Sequence, residues 1–224
     1  LEESCKELKA VTESEQGPES IKDRLNNILE EDVKESLSYI LTSTSKMDTL
    51  LSGLLRLSRL GHAALNEEQL DMNDMMTDIA KSLEYRTRKK GAAINISKLE
   101  PCIGDYSQIS QVFTNLLDNA VKYLDSSRKG IINISSARGR NAITYCVEDN
   151  GIGIAEQHQE KIFEIFHQLN PDTQQGGEGL GLTIVKRILS KHNGHISLKS
   201  EPGKGSKFFI TLPATGAGAG GFRI

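Results

Sequence analysis

Three short segments of the chain carry residue types and spacings that suit chemistry. In Asn-Leu-Leu-Asp-Asn-Ala, Asn115 and Asn119 stand four apart, on one face of any helix, with Lys122 and Tyr123 a turn further on. Amide oxygens suit Mg²⁺ and a lysine suits phosphate. Magnesium takes few ligands from protein and the rest from water and nucleotide phosphates, so one or two asparagines suffice. In Glu-Asp-Asn-Gly-Ile-Gly-Ile, from Glu148, a strand ends at Asp149, and Gly151 and Gly153 let the backbone turn sharply and approach a ligand. A carboxylate there accepts hydrogen bonds from an exocyclic amine, although the same string also makes an ordinary turn. In Gly-Glu-Gly-Leu-Gly-Leu, Gly177, Gly179, Leu180, Gly181 and Leu182 open a helix whose apolar face is Ile184, Val185, Ile188 and Leu189. Free N–H groups and the positive end of the helix dipole favour phosphate there, while a flexible loop without a ligand fits the same residues. The three in this order describe a nucleotide and Mg²⁺ pocket.

The hydrophobic pattern outlines the elements that must position these groups. Val33, Leu37, Ile40, Thr44, Met47, Leu51 and Leu54 recur at alternating steps of four and three, the repeat of a packed helical seam. With Leu41, Leu50 and Leu57 added, one helix cannot bury this stripe. It calls for an antiparallel hairpin or a dimeric bundle, and an intramolecular helix pair fits the same pattern. Gly17 and Pro18 break the helical sequence before it, and Gly61 is expected to end the helix. The polar stretch 62–69 reads as a connector, with the boundary near residue 65. Three regions follow: a helical hairpin over 1–64, an α+β domain over 65–213, and a glycine-rich flexible tail over 214–224.

Within the second region, Asn73 is expected to cap a helix reaching about residue 90, its apolar face holding Met75, Met76, Ile79 and Leu83. Gly91 stops it. A strand over 93–99, a helix over 108–123, a hairpin of 131–137 with 143–147, a helix over 180–192 and strands over 195–200 and 206–212 complete the order. The expected fold class is α+β, a mixed sheet covered by helices on one face.

Composition narrows the function classes. With 27 basic and 30 acidic residues and a net charge of -3, no basic field is present for a nucleic-acid backbone. Cys5, Cys102 and Cys146 lack metal or redox spacing, so structural thiols in a reducing, cytoplasmic or similar soluble compartment are expected. No apolar run approaches the roughly 20 residues that cross a bilayer. The chain starts at Leu1 and is expected to be a piece of a longer protein with an upstream sensor region, membrane-tethered or not.

Residues from about 72 to 213 resemble the catalytic ATP-binding domain of sensor histidine kinases. Residues 115–123 are similar to that family's N box, 148–154 to its first glycine box, 161–166 (Lys-Ile-Phe-Glu-Ile-Phe) to its phenylalanine box and 177–182 to its second glycine box. The resemblance implies a Bergerat-type fold binding ATP and Mg²⁺. Asp149 would hold the adenine amine, Asn119 the metal with Asn115 nearby, and Lys122 with Tyr123 would lie near the phosphates or base. Residues 167–177 would form a mobile lid, hinged or anchored by Phe163 and Phe166. A homodimer through the helical hairpin and a response-regulator receiver domain are the implied partners. Related ATPases of the same superfold place a glutamate where Asn115 stands and use it to activate water, so Asn115 argues against rapid hydrolysis.

Residues 46–61 are similar to the second helix of the family's phosphotransfer hairpin, whose first helix carries an acceptor histidine. Residues 1–61 contain no histidine. Alignment on Pro18 puts Glu13 in the acceptor slot, beside Ser14; alignment on the distance to Met47 puts Lys6 there. His62 and His167 are poorly placed as replacements, and His158, His192 and His195 read as surface or strand-edge residues. Glutamate forms no stable phosphoramidate, and a protonated lysine is a poor nucleophile. Three readings stay open: a histidine-kinase-family phosphotransferase with its acceptor replaced or another acceptor in use, an ATP-responsive dimeric pseudokinase, and a helical interaction protein with a vestigial pocket, against which Asn119, Asp149 and the glycine pattern argue.

Overall fold

The computed structural model describes residue 6 and residues 33–62, 64–167 and 179–214. The break at Gly17 and Pro18, Glu13 with Ser14, most of the lid, Gly177 and the tail beyond Ala214 lie outside the described residues. The chain divides into two units, Leu1–Leu55 and Arg56–Ile224.

The first unit's main described element belongs to helix α1, Lys34–His62, which runs past Gly61 by one residue. Its apolar repeat is not covered: Leu37, Ile40, Met47, Leu51 and Leu54 are between 47% and 63% exposed. Thr44, the polar member of the repeat, returns its hydroxyl to the carbonyl of Ile40 at 2.9 Å. Lys6 is helical and exposed.

In the second unit, β1 (Glu67–Leu70) precedes α2 (Met72–Ser82), α3 (Glu84–Lys89), β2 (Ala93–Ile96), β3 (Cys102–Asp105) and α4 (Tyr106–Lys122). Then come β4 (Ile131–Arg138), β5 (Ala142–Asp149), a four-residue helix α5 (Glu156–Gln159), a 3₁₀ turn at Lys161–Phe163, α6 (Gly181–Lys191), β6 (His195–Glu201) and β7 (Gly205–Pro213). The main sheet has the order β2-β4-β5-β7-β6, with β2 parallel to β4 and the other pairs antiparallel. β1 and β3 form a separate antiparallel ribbon.

Alternation along β5 turns Ile143, Tyr145, Val147 and Asp149 to the buried side and leaves Thr144, Cys146 and Glu148 partly exposed. The core lies between that side and the apolar faces of α2, α4 and α6, where Met76, Val112, Phe113, Leu116, Val185 and Leu189 are fully enclosed. Phe113 meets Tyr145 edge to face, ring centroids 5.5 Å apart, and the Tyr145 hydroxyl donates to the carbonyl of Glu100 at 2.6 Å. The fold is thus α+β with a mixed sheet under helices.

Several expected boundaries shift for identifiable reasons. Asp71, not Asn73, caps α2, its carboxylate accepting from the N–H groups of Asn73 and Asp74. Asn73 instead bridges to both backbone groups of Leu99. The helix expected to reach residue 90 breaks at Leu83 into α2 and α3. β2 stops at Ile96 rather than 99, and α4 starts two residues early because Asp105 caps it, accepting from the N–H of Gln108.

Candidate nucleotide pocket

Helix α4 buries Ile109, Val112, Phe113, Leu116, Leu117, Ala120 and Val121, which leaves the opposite side of its second half to carry Asn115, Asn119 and Lys122. The end of β5 contributes Asp149 from the buried side of the sheet. The start of α6 contributes Gly181 and Leu182. These three elements, distant in sequence, line one cavity of about 350 Å³, a size suited to a small organic ligand. Tyr123, Gly153, Gly179 and Leu180 line it too, and Gly151 sits just behind, buried. Of the candidate site residues, Glu13 and Gly177 lie outside the described part, and Lys6 belongs to the other unit.

Asp149 is 7% exposed, and its Oδ1 accepts from the N–H of Gly151 at 2.9 Å. Burial raises its pKa above the ordinary carboxylate value, against the lowering effect of the Gly151 and Ser206 backbone N–H groups. Ile154, Ile162, Ile184 and Phe208 add apolar wall. A buried carboxylate beside apolar side chains suits the polar edge of an otherwise flat, apolar ring. At the other side the Asn115 side-chain nitrogen is buried with no hydrogen-bond partner among the described residues. A buried amide N–H in a cavity wall is a donor open to a water or to a bound molecule.

The two glycines of the first glycine segment are required by close packing. Gly153 has φ +69°, and a Cβ there would run into the carbonyl of Glu201; one on Gly151 would collide with the carbonyl of Tyr123. Arg128 fixes the same turn from outside, its Nε donating to Asn150 O at 2.8 Å and its Nη2 to Gly151 O at 2.8 Å and Gly203 O at 2.7 Å. The phenylalanine-box segment is fastened to the second glycine segment by the Phe166 N–H to Gly179 O bond, 3.0 Å, and by the Thr183 hydroxyl on Phe163 O, 3.1 Å. Among the described residues no side chain caps α6, whose first-turn N–H groups lie at the end of the helix that lines the cavity. Lys122 Nζ stands 4.8 Å from the ring centre of Tyr123.

Sequence reasoning missed four participants. Arg86 and Asp118 line the cavity and pair with each other. Arg128 holds the turn, as above. His192 corrects the surface assignment: it is 2% exposed, its Nε2 accepts from the N–H of Asp105 at 3.1 Å, and its Nδ1 donates to Ile188 O at 2.9 Å. The capping site at the end of α6 draws the ring inward, because a buried N–H at the start of α4 needs an acceptor. His195 is exposed at the start of β6, as expected, while His158 is half-buried.

Residues 104–216 match the family described as histidine kinase-, DNA gyrase B-, and HSP90-like ATPase. The chain belongs to this family. Its cyanobacterial relative phytochrome B, from Nostoc sp. (strain PCC 7120), is 40% identical over 181 residues, 80% of this chain and 24% of that protein. The chain therefore spans about a quarter of that relative's length. Among solved structures, full-length ShkA in complex with AMPPNP is similar with a TM-score of 0.65 at 26% identity, over 83% of this chain and 40% of ShkA. The catalytic domain of histidine kinase ThkA gives 0.58 at 26% identity, over 67% of this chain and 99% of that domain. The ATP-binding catalytic domain is thus of the sensor-histidine-kinase kind. Among the described residues, no group of three or more histidine, cysteine or acidic side chains is placed to hold a metal, and no helix is long and apolar enough to cross a membrane.

Proposed function

We propose that this chain is the ATP- and Mg²⁺-binding core of a sensor histidine kinase acting in phosphorelay signalling. The observation that carries the reading is the convergence of Asn115, Asn119, Lys122 and Asp149 on one cavity. Asp149 accepts from the exocyclic amine of adenine, with the Gly151 turn holding its carboxylate. Asn119, with Asn115, turns an amide oxygen toward Mg²⁺, whose charge would offset that of the phosphates. The scarcity of carboxylate ligands fits a cation that draws on nucleotide phosphates for its coordination. Lys122 and the N–H groups at the start of α6 meet the phosphates. Tyr123 flanks the phosphate or base side.

The fate of the γ-phosphoryl group turns on the first unit. With Glu13 or Lys6 read in the acceptor slot and no histidine in residues 1–61, the sequence argues against autophosphorylation by the usual route. The uncovered stripe of α1 supports a homodimer through a helical hairpin. A receiver domain and an upstream sensor region complete the proposed assembly. With no histidine in residues 1–61, the second reading is an ATP-responsive dimeric pseudokinase that signals by conformation.

Nucleotide binding is tested by thermal shift: Mg²⁺-ATP at millimolar concentration should raise Tm, and Asn119→Ala should remove the rise. An unshifted wild type would sink both readings. Incubation with γ-labelled ATP separates them. Acid-labile label on the protein supports a relocated histidine, acid-stable label another acceptor, and a bound but unlabelled protein the pseudokinase.

A further inference from the structure

Among the described residues that line the cavity, Arg86 and Lys122 are the two arginine or lysine side chains. Lys122 belongs to the same helix as the asparagines, whereas Arg86 reaches in from α3. Its Nη1 donates to Oδ1 of Asp118, one residue before Asn119 and three after Asn115. The pair therefore stands on the stretch of α4 that carries the asparagines, and both of its members line the cavity. Both side chains are about half exposed, 47% and 44%, so the pair is not a sealed structural bridge. Asp118 engages one arm of the guanidinium, and a guanidinium has five N–H donors arranged to meet phosphate oxygens.

The same short helix secures its position on α4. Lys90, just beyond α3, donates to the carbonyls of Val121 and Lys122, each at 2.8 Å. Those carbonyls end α4, where the helix dipole welcomes a cation. Lys90 acts as the anchor, while Arg86 lines the cavity. A magnesium-bound nucleoside triphosphate still carries net negative charge, and Lys122 alone undersupplies the balance.

Resting on the nucleotide reading above, we propose that Arg86 is a phosphate-contacting residue that distinguishes a nucleoside triphosphate from shorter forms. On binding, its guanidinium shares its pairing between Asp118 and the terminal phosphate. Asp118 holds the arginine in place while the pocket is empty and prevents an uncompensated positive charge at its mouth.

The test is calorimetric titration of the full chain with Mg²⁺-ATP, Mg²⁺-ADP and adenosine, in the wild type, Arg86→Gln and Arg86→Lys. Arg86→Gln should weaken ATP about tenfold or more, the scale of one charge-assisted hydrogen bond, weaken ADP less and leave adenosine unchanged. Arg86→Lys, which keeps the charge, should fall between it and the wild type. Equal weakening of all three ligands would show a merely structural role and overturn the proposal, as would an Arg86→Gln variant with wild-type affinity for ATP. A wild type that binds ATP no better than adenosine removes the proposal while leaving the base site intact. A wild type that binds none of the three removes the nucleotide reading as well.

Discussion

The backbone N–H of Asp105 donates to Nε2 of His192 across 3.1 Å, joining the start of α4 to the end of α6. The pocket occupies the other ends of the same two helices. From Asp105 to Asn115 the helical rise is about 15 Å, so the junction acts at a distance from the ligand. His192→Ala leaves a buried N–H without an acceptor and empties the space of a ring, and should cost about 2–4 kcal/mol in urea unfolding. His192→Gln, whose amide oxygen can accept the bond, should recover part of that. An alanine variant as stable as the wild type would show that the bond does not tie the helices.

Asp149 predicts a pH dependence with a definite sign. Its folded pKa is raised by burial, so it takes up a proton at a less acidic pH than an exposed aspartate, whose value is about 3.9. The charged form is the better acceptor for an adenine amine, so ATP affinity should fall as pH is lowered through that raised value. The empty protein behaves oppositely. The folded state holds this proton more tightly than the unfolded chain, so this group's contribution to stability improves as pH falls through the folded pKa. Asp149→Asn should flatten both dependences; a variant whose ATP affinity keeps the wild-type acid limb would assign that limb to another group.

Arg128 gives a third prediction, because one guanidinium serves three carbonyls, on Asn150, Gly151 and Gly203. Arg128→Ala should loosen the turn that orients Asp149 and weaken ATP and adenosine alike, by about threefold to tenfold. Arg128→Lys should not rescue fully, since a point charge cannot span three acceptors. Titration with adenosine is the decisive measurement: weakening confined to ATP would place Arg128 on the phosphates instead.

The contrast between legible and hidden residues has a physical basis. Asn115 and Asn119 are readable because a helix puts residues four apart together, and Asp149 because strand alternation and two glycines mark its place. The class of fold follows from the same periodicities. Arg86 carries no local signal, since its partner Asp118 lies 32 residues away on another helix. His192 sits among polar neighbours in the chain, and the partner that ties it inward, the N–H of Asp105, is 87 residues away. β1, Glu-Glu-Gln-Leu, has neither β-branched residues nor alternation, and its strand character comes from pairing with β3. The break at Leu83 leaves no mark in a sequence that has neither glycine nor proline there.

The strand that ends in Asp149 also makes the pocket a matter of parity. Glu148 pairs with Lys207 on the outward side, 2.8 Å between the charged groups, while Asp149 points under the helices. Sliding β5 by a single residue would exchange the two acids, sending the Asp149 carboxylate into solvent and that of Glu148 inward. Gly205 stands beside this register: at φ +106° it lies so close to the carbonyl of Asp149 that any side chain would strike it. The acid that lines the cavity is thus chosen by an odd-even count along one strand, against a neighbour that fits only because it has no side chain.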